Sequence, residues 1–152
     1  KIQSSDTKIK FEINKTKLIS KVIDGKFPDY RKVVPTNNDK ALTLSTKDFI
    51  ESIERVTTVS LDRKEGVKLI INKNNVKLSV NSTSSGEGNE VIKANYNSDE
   101  LTISFNSKYL IDIASVIDDK NLKINLKDAA SPVLIEDKSD KNSYYVIMPM
   151  KI

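Results

Sequence analysis

Residues 44–56 read LSTKDFIESIERV, and residues 105–117 read FNSKYLIDIASVI. Laid side by side, each places a hydroxyl residue and a lysine at the head, Thr46–Lys47 and Ser107–Lys108, 61 positions apart. Each follows with two large apolar residues, Phe49–Ile50 and Leu110–Ile111, and each closes on an apolar residue at the same offset, Val56 and Ile117. Phe49, Ile50, Ile53 and Val56 recur at helical spacing, so the first stretch predicts an amphipathic helix with one apolar stripe. Ser45 or Thr46 is placed to cap it, because a short hydroxyl side chain accepts a hydrogen bond from an otherwise unpaired N–H. Two amphipathic helices can share caps by coincidence, but the common spacing points to an internal duplication.

The flanks extend the match. Before the first helix comes the strand-like ALTLS. After it come VKLIIN, VKLSVN and EVIKANY, with NKNN as a hairpin signal between the first two and the polar NSTSSGEGN between the last two. Around the second helix stand LTISF, LKINL, SPVLIED and SYYVIMPM. Each half therefore reads strand, helix, strand, strand, strand, which predicts an α+β domain with two helices packed on antiparallel sheets. Upstream, KIKFEI alternates polar and apolar residues as a half-buried strand does, and KLISKVI follows the turn-like NKT. The stretch DGKFPDYRKVVPTNNDKA, with Gly25, Pro28 and Pro35, is the best candidate for a domain boundary.

Composition narrows the function. The chain has 152 residues, 38% of them hydrophobic, enough for a real core. It has no cysteine and no histidine, which removes disulfides, thiolate nucleophiles, Ser–His triads and the usual zinc sites. No cofactor or metal is implied. Asp24, Asp29 and the run Glu136 to Lys141 offer carboxylates, but without paired-acid or EF-hand spacing they read as solvated turns. No apolar run reaches the length of a membrane span, and no signal peptide opens the chain. Because the first residue is Lys1, the sequence reads as a fragment or a processed product. The net charge of +4 permits an anionic partner. Only Arg31, Arg55 and Arg63 are arginines, however, so bidentate phosphate forks are few. Lys47, Arg55, Lys108 and the DRKEG run at 62–66 offer positive charge on or beside the two helices, for phosphates or as a plain solvated face. No helix-turn-helix, phosphate loop or RNA-binding aromatic pattern is present, so base-specific reading is not expected.

The tail raises the sharpest question. NSYYVIMPMKI ends the chain on an alternation in which Tyr145, Ile147 and Pro149 point one way and Val146, Met148 and Met150 the other. Either it is an edge strand covered on both faces, or one face leaves soft methionine side chains open to varied partners.

VIDGKFPDYRKVVP (22–35) resembles a hallmark segment of the bacterial sliding clamp, the beta subunit of DNA polymerase III. YVIMPMKI (145–152) resembles that family's C-terminal signature, and FNSKYLIDI and SPVLIED resemble clamp segments at matching distances. The resemblance covers the whole chain, with four motifs in order. It implies residues 1–30 as closing strands of a middle clamp domain and 31–152 as the C-terminal domain. It also implies a non-catalytic cytoplasmic protein, associated with the nucleoid, that serves as a processivity factor of the replicative polymerase. At full length such a protein is a homodimeric ring around double-stranded DNA, read without sequence preference.

Partners in that family are the polymerase, the clamp loader and repair proteins, which dock linear peptides in a hydrophobic cleft. The matching cleft positions are Pro28, Lys32, Val33, Asn106, Tyr109, Ala130, Pro132, Val146, Met148, Pro149, Met150, Lys151 and Ile152. Lys32 and Lys151 stand where arginine is common, and Ile152 replaces a final leucine; Lys32 thereby lacks the planar fork. The implied DNA-facing residues are Lys47, Arg55, Arg63, Lys64 and Lys108. The implied dimer seam is an edge strand near 88–95 with Thr58, Val59, Glu87 and Glu90. A stand-alone peptide-binding module without a DNA role is the alternative.

Overall fold

The computed structural model describes residues 1–60, 66–82, 85–140 and 142–151. The chain divides between Tyr30 and Arg31 into two compact units. The first is a three-stranded antiparallel sheet, β1 (Ile2–Ser4), β2 (Lys8–Ile13) and β3 (Thr16–Lys21), in that order. Asn14 makes the β2–β3 turn with a positive φ of 53°, a conformation asparagine tolerates. Register places Ile2, Phe11 and Leu18 in one cross-strand row on the same face.

The second unit folds into the duplicated arrangement that the two helix stretches predict. Its first half is β4 (Lys40–Ser45), α1 (Thr46–Thr57), β5 (Gly66–Asn72), β6 (Asn75–Ser82) and β7 (Gly86–Tyr96). Its second half is β8 (Leu101–Asn106), α2 (Ser107–Ala114), β9 (Asn121–Leu126), β10 (Val133–Glu136) and β11 (Tyr144–Ile147). All pairings are antiparallel, and the strands lie in the order β11-β10-β9-β4-β7-β6-β5-β8. The halves interlock, because the strand entering each helix pairs with the first strand leaving the other: β4 with β9, and β8 with β5.

Both helices start as their sequences direct. Ser45 Oγ accepts from the Asp48 N–H at 3.2 Å, and Asn106 Oδ1 accepts from the Tyr109 N–H at 3.3 Å. Phe49, Ile53 and Val56 of α1 are buried with Leu110 and Ala114 of α2 against the inward residues of the strands. Each large side chain removed from water in this way contributes about 1.5–3 kcal/mol. The second helix is shorter than its pattern indicates, ending at Ala114. Ile117 is nonetheless buried, at the end of a tight turn in which its N–H reaches the Ala114 carbonyl.

The polar NSTSSGEGN stretch also differs from its reading as a separator. β6 runs through Ser82 and β7 starts at Gly86, because a long twisted hairpin pairs backbone groups whatever side chains point to solvent. Gly88, within that hairpin, lies against α1: a Cβ there would stand 2.5 Å from the Val56 carbonyl oxygen.

The halves differ at one joint. In the first, β7 leaves β6 and pairs with β4 over three registers, Leu42–Tyr96, Thr43–Asn95 and Leu44–Ala94. In the second, β11 stops at Ile147, and among the described residues the tail meets β8 through one backbone bond, from the Met150 N–H to the Ser104 carbonyl at 2.7 Å. Pro149 has no N–H to offer such a ladder.

Candidate functional site

The tail answers its question with one buried face and one open face. Ile147 is 4% exposed and Tyr145 packs against the core, whereas Met148 is 57% and Met150 37% exposed. Register builds a track around them. Leu134 pairs with Val146 and Val133 with Ile147, so one further step sets Pro132 opposite Met148. The Met150–Ser104 bond brings the tail beside the end of β8, where Asn106 caps α2 and Tyr109 stands 58% exposed. On the other side of the hairpin, Val34 lines a groove of about 500 Å³ with Leu134, Glu136 and Tyr144, next to the exposed Val33. In the second unit Val33, Met148, Met150 and Tyr109 are exposed, and Val146, Pro132 and Pro149 are half-buried.

Other predicted positions flank it. Ala130 is exposed on a turn held by Asp128, whose Oδ1 accepts from the Ala130 and Ser131 N–H groups at 2.9 and 2.7 Å. These hydrogen bonds keep the Asp128 carboxyl below the ordinary aspartate value. Lys32 ends a single 3-10 turn over Tyr30–Lys32 and is exposed, as is Lys151. Pro28 belongs to the first unit. Ile152 lies outside the described residues. Sequence reading missed Asn38, whose Nδ2 donates to the Asn125 and Pro132 carbonyls, both at 2.9 Å, and so fixes the strand end from which Pro132 emerges. Only the local motif TNND marked the position.

The second candidate surface is the pair of helices. A groove of about 670 Å³ separates the end of α1 from the start of α2, with Glu54, Thr57, Lys108 and Asp112 on its walls. Its duplicate, about 540 Å³, lies at the opposite ends and is lined by Lys47, Ile50, Glu51 and Ile117. Lys47 and Lys108 occupy equivalent, exposed positions. Arg63 and Lys64 lie outside the described residues.

Arg55 and Glu90, assigned by the resemblance to different surfaces, meet each other. Arg55 Nε donates to Glu90 Oε2 at 3.0 Å and Nη2 to Oε1 at 2.6 Å, while the buried Ser52 hydroxyl donates to Oε1 at 2.9 Å. The bidentate arginine holds the Glu90 carboxyl below its ordinary value, and the Arg55 pKa is raised in return, first by the same hydrogen bonds. Thr58, Val59 and Glu87 sit nearby, at the end of α1 and the start of β7. Along residues 87–93, β7 pairs with β6 on one side, and no described strand occupies the other.

Residues 31–151 match the family model of the DNA polymerase III beta subunit, C-terminal domain. The beta sliding clamp of Caulobacter vibrioides is 36% identical over 151 residues, which is 99% of this chain and 41% of that protein. That of Escherichia coli K12 is 31% identical over the full chain and 42% of its own length. The chain therefore spans about two fifths of these relatives. A crystal structure of the Bartonella birtlesii clamp bound to griselimycin superposes with a TM-score of 0.91 and 40% identity, over 99% of this chain and 41% of that one. The Caulobacter crescentus clamp gives 0.91 and 36%, over 99% and 40%. With its duplicated helices, its interlocked sheet and its methionine tail, the chain belongs to the DNA polymerase III beta subunit family, matching its C-terminal domain.

Proposed function

We propose that this chain is the C-terminal portion of a DNA sliding clamp, a non-catalytic cytoplasmic protein that tethers a replicative polymerase to double-stranded DNA. A tethered polymerase rebinds its primer end at high effective concentration, so processivity needs a ring and a docking site rather than a reactive group. In this reading residues 1–30 are the closing strands of the preceding domain, whose missing part covers the Ile2–Phe11–Leu18 row. The family's ring-forming homodimer uses the open edge of β7 with Thr58, Val59, Glu87 and Glu90. Lys47, Arg55 and Lys108 track phosphates on the helix side; Arg63 and Lys64, outside the described residues, are assigned to DNA by the family resemblance. Among the described residues no helix is long and apolar enough to cross a membrane.

One observation carries the docking role: two methionines stand exposed on a tail whose alternate residues Tyr145 and Ile147 belong to the core. Thioether side chains repack around different anchors, as one site serving polymerase, clamp loader and repair proteins requires. Lys32, Val33, Asn106, Ala130, Val146, Pro149 and Lys151 complete the proposed cleft within the second unit; Pro28 and Ile152 are assigned to it by the family resemblance. In the full-length parent, Met148→Ala is expected to weaken binding of a linear peptide with glutamine and leucine or phenylalanine anchors by about 1–2 kcal/mol. The melting temperature should hardly move. Unchanged affinity with a sharp fall in stability would make the tail core and nothing more. A peptide-binding module with no DNA role shares this cleft; the observation on its side is that the helix face carries more carboxylates, Asp48, Glu51, Glu54 and Asp112, than cations, Lys47, Arg55 and Lys108, and the DNA titration below separates the two.

A further inference from the structure

Every candidate phosphate-binding cation among the described residues of the helix face is already engaged. Lys47 Nζ lies 3.7 Å from Glu51 Oε1, and Lys108 Nζ lies 2.5 Å from Asp112 Oδ2. These are the same i,i+4 pair in the two halves of the duplication, at equivalent positions of α1 and α2. Arg55 is shared between Glu51, at 3.5 Å, and Glu90. With Asp48 and Glu54, three cations and four carboxylates occupy the outward helix surface. Both lysine pairs are well exposed, so each is weak and readily exchanged.

The geometry points to a partner-exchange surface: Glu51 and Asp112 act as built-in stand-ins for DNA phosphates, which Lys47 and Lys108 leave and retake as the duplex moves past. This rests on the DNA reading of the helix face. A lysine that abandons its carboxylate for a phosphate releases one cation from the DNA, but the stranded carboxylate gathers one from solution. The net gain from counterion release is therefore small. Contact stays loose and almost indifferent to position, which suits sliding, and no isolated ammonium is left to grip one phosphate.

The test uses a fluorescently labelled 24-base-pair duplex titrated with the 152-residue chain between 20 and 150 mM KCl. Wild type, Glu51→Gln/Asp112→Gln and Glu54→Gln are compared, each first shown to melt like wild type. Glu54 is the control because it makes no ion pair with any described residue. In the double variant the lysines engage phosphates with no carboxylate left behind. Its binding is expected to tighten about three- to tenfold, and the slope of log K against log salt to steepen by about 1 to 2, from ~0.9 per phosphate-neutralising cation. Glu54→Gln removes one repulsive charge and should tighten binding without steepening the slope. Equal slopes in all three proteins, with binding retained, would overturn the exchange while leaving the DNA reading intact. No binding by any of them at 20 mM would overturn the DNA reading of this face, and the exchange with it.

Discussion

A Cβ on residue 88 has nowhere to go. Gly88 runs under the last turn of α1, where the Val56 carbonyl oxygen would be 2.5 Å from the added carbon and the Val56 Cα 3.1 Å. These are backbone atoms, so no rotamer change relieves the contact; the helix end or the strand must move. Without that contact, alanine would be favoured over glycine in a strand by about 0.5–1 kcal/mol. With it, Gly88→Ala is expected to destabilise by about 1–3 kcal/mol, the usual cost of overpacking, read by urea denaturation. A neutral or more stable variant would mean that α1 does not approach β7 so closely. Tyr96 shows the opposite situation at the same scale. It is almost fully buried, yet its hydroxyl donates to the Asp99 carbonyl at 2.8 Å, and burial pushes its pKa up.

At the scale of elements, α1 is fastened to β7 by charge as well as by packing. Glu90 is held ionised by Arg55, and Glu136 by Lys123 across β9 and β10. A carboxyl whose pKa is lower folded than unfolded contributes stability above its unfolded value, about 4.3 for glutamate, and loses it as pH falls through the folded value. Thermal melts should therefore be level from pH 7 to about 5 and fall below that. Glu90→Gln should lower the melting temperature at pH 7 and flatten the acid limb; an acid limb as steep as that of wild type would discount the Arg55–Glu90 link. The helices, and the strands of alternating pattern, were legible in the sequence because period and caps are local properties. The link between Arg55 and Glu90 was not, since it joins residues 35 apart whose meeting depends on the β6–β7 hairpin folding back over α1. Asn38 escaped for the same reason: its carbonyl partners lie 87 and 94 residues away. The methionine tail was legible as an alternation, but which of its faces is core follows from its register against β10.

For the whole molecule, β7 presents the side of residues 87–93 away from β6 as an edge, marked by Glu87, Asn89, Val91 and Lys93 in exposed positions. Charged residues at both ends of such an edge discourage pairing with another copy of the same strand. If that edge awaits a different domain, as proposed, the chain alone should sediment at micromolar concentration as a monomer of 17.1 kDa. A stable dimer would contradict the proposed seam. The joint between β8 and the tail carries a different lesson, one of descent. Both halves inherited a strand placed to be closed by a neighbour, and one half closes it with a three-register ladder while the other uses the single Met150–Ser104 bond. The rest of the second half is held by the β8–β5 and β9–β4 pairings, so its closing joint carries little of the ladder. Substitutions such as a proline at 149 therefore escape the penalty they would meet in the first copy. The second half is where a lineage is free to trade fastening for surface, and in this chain the methionines stand at that freed joint.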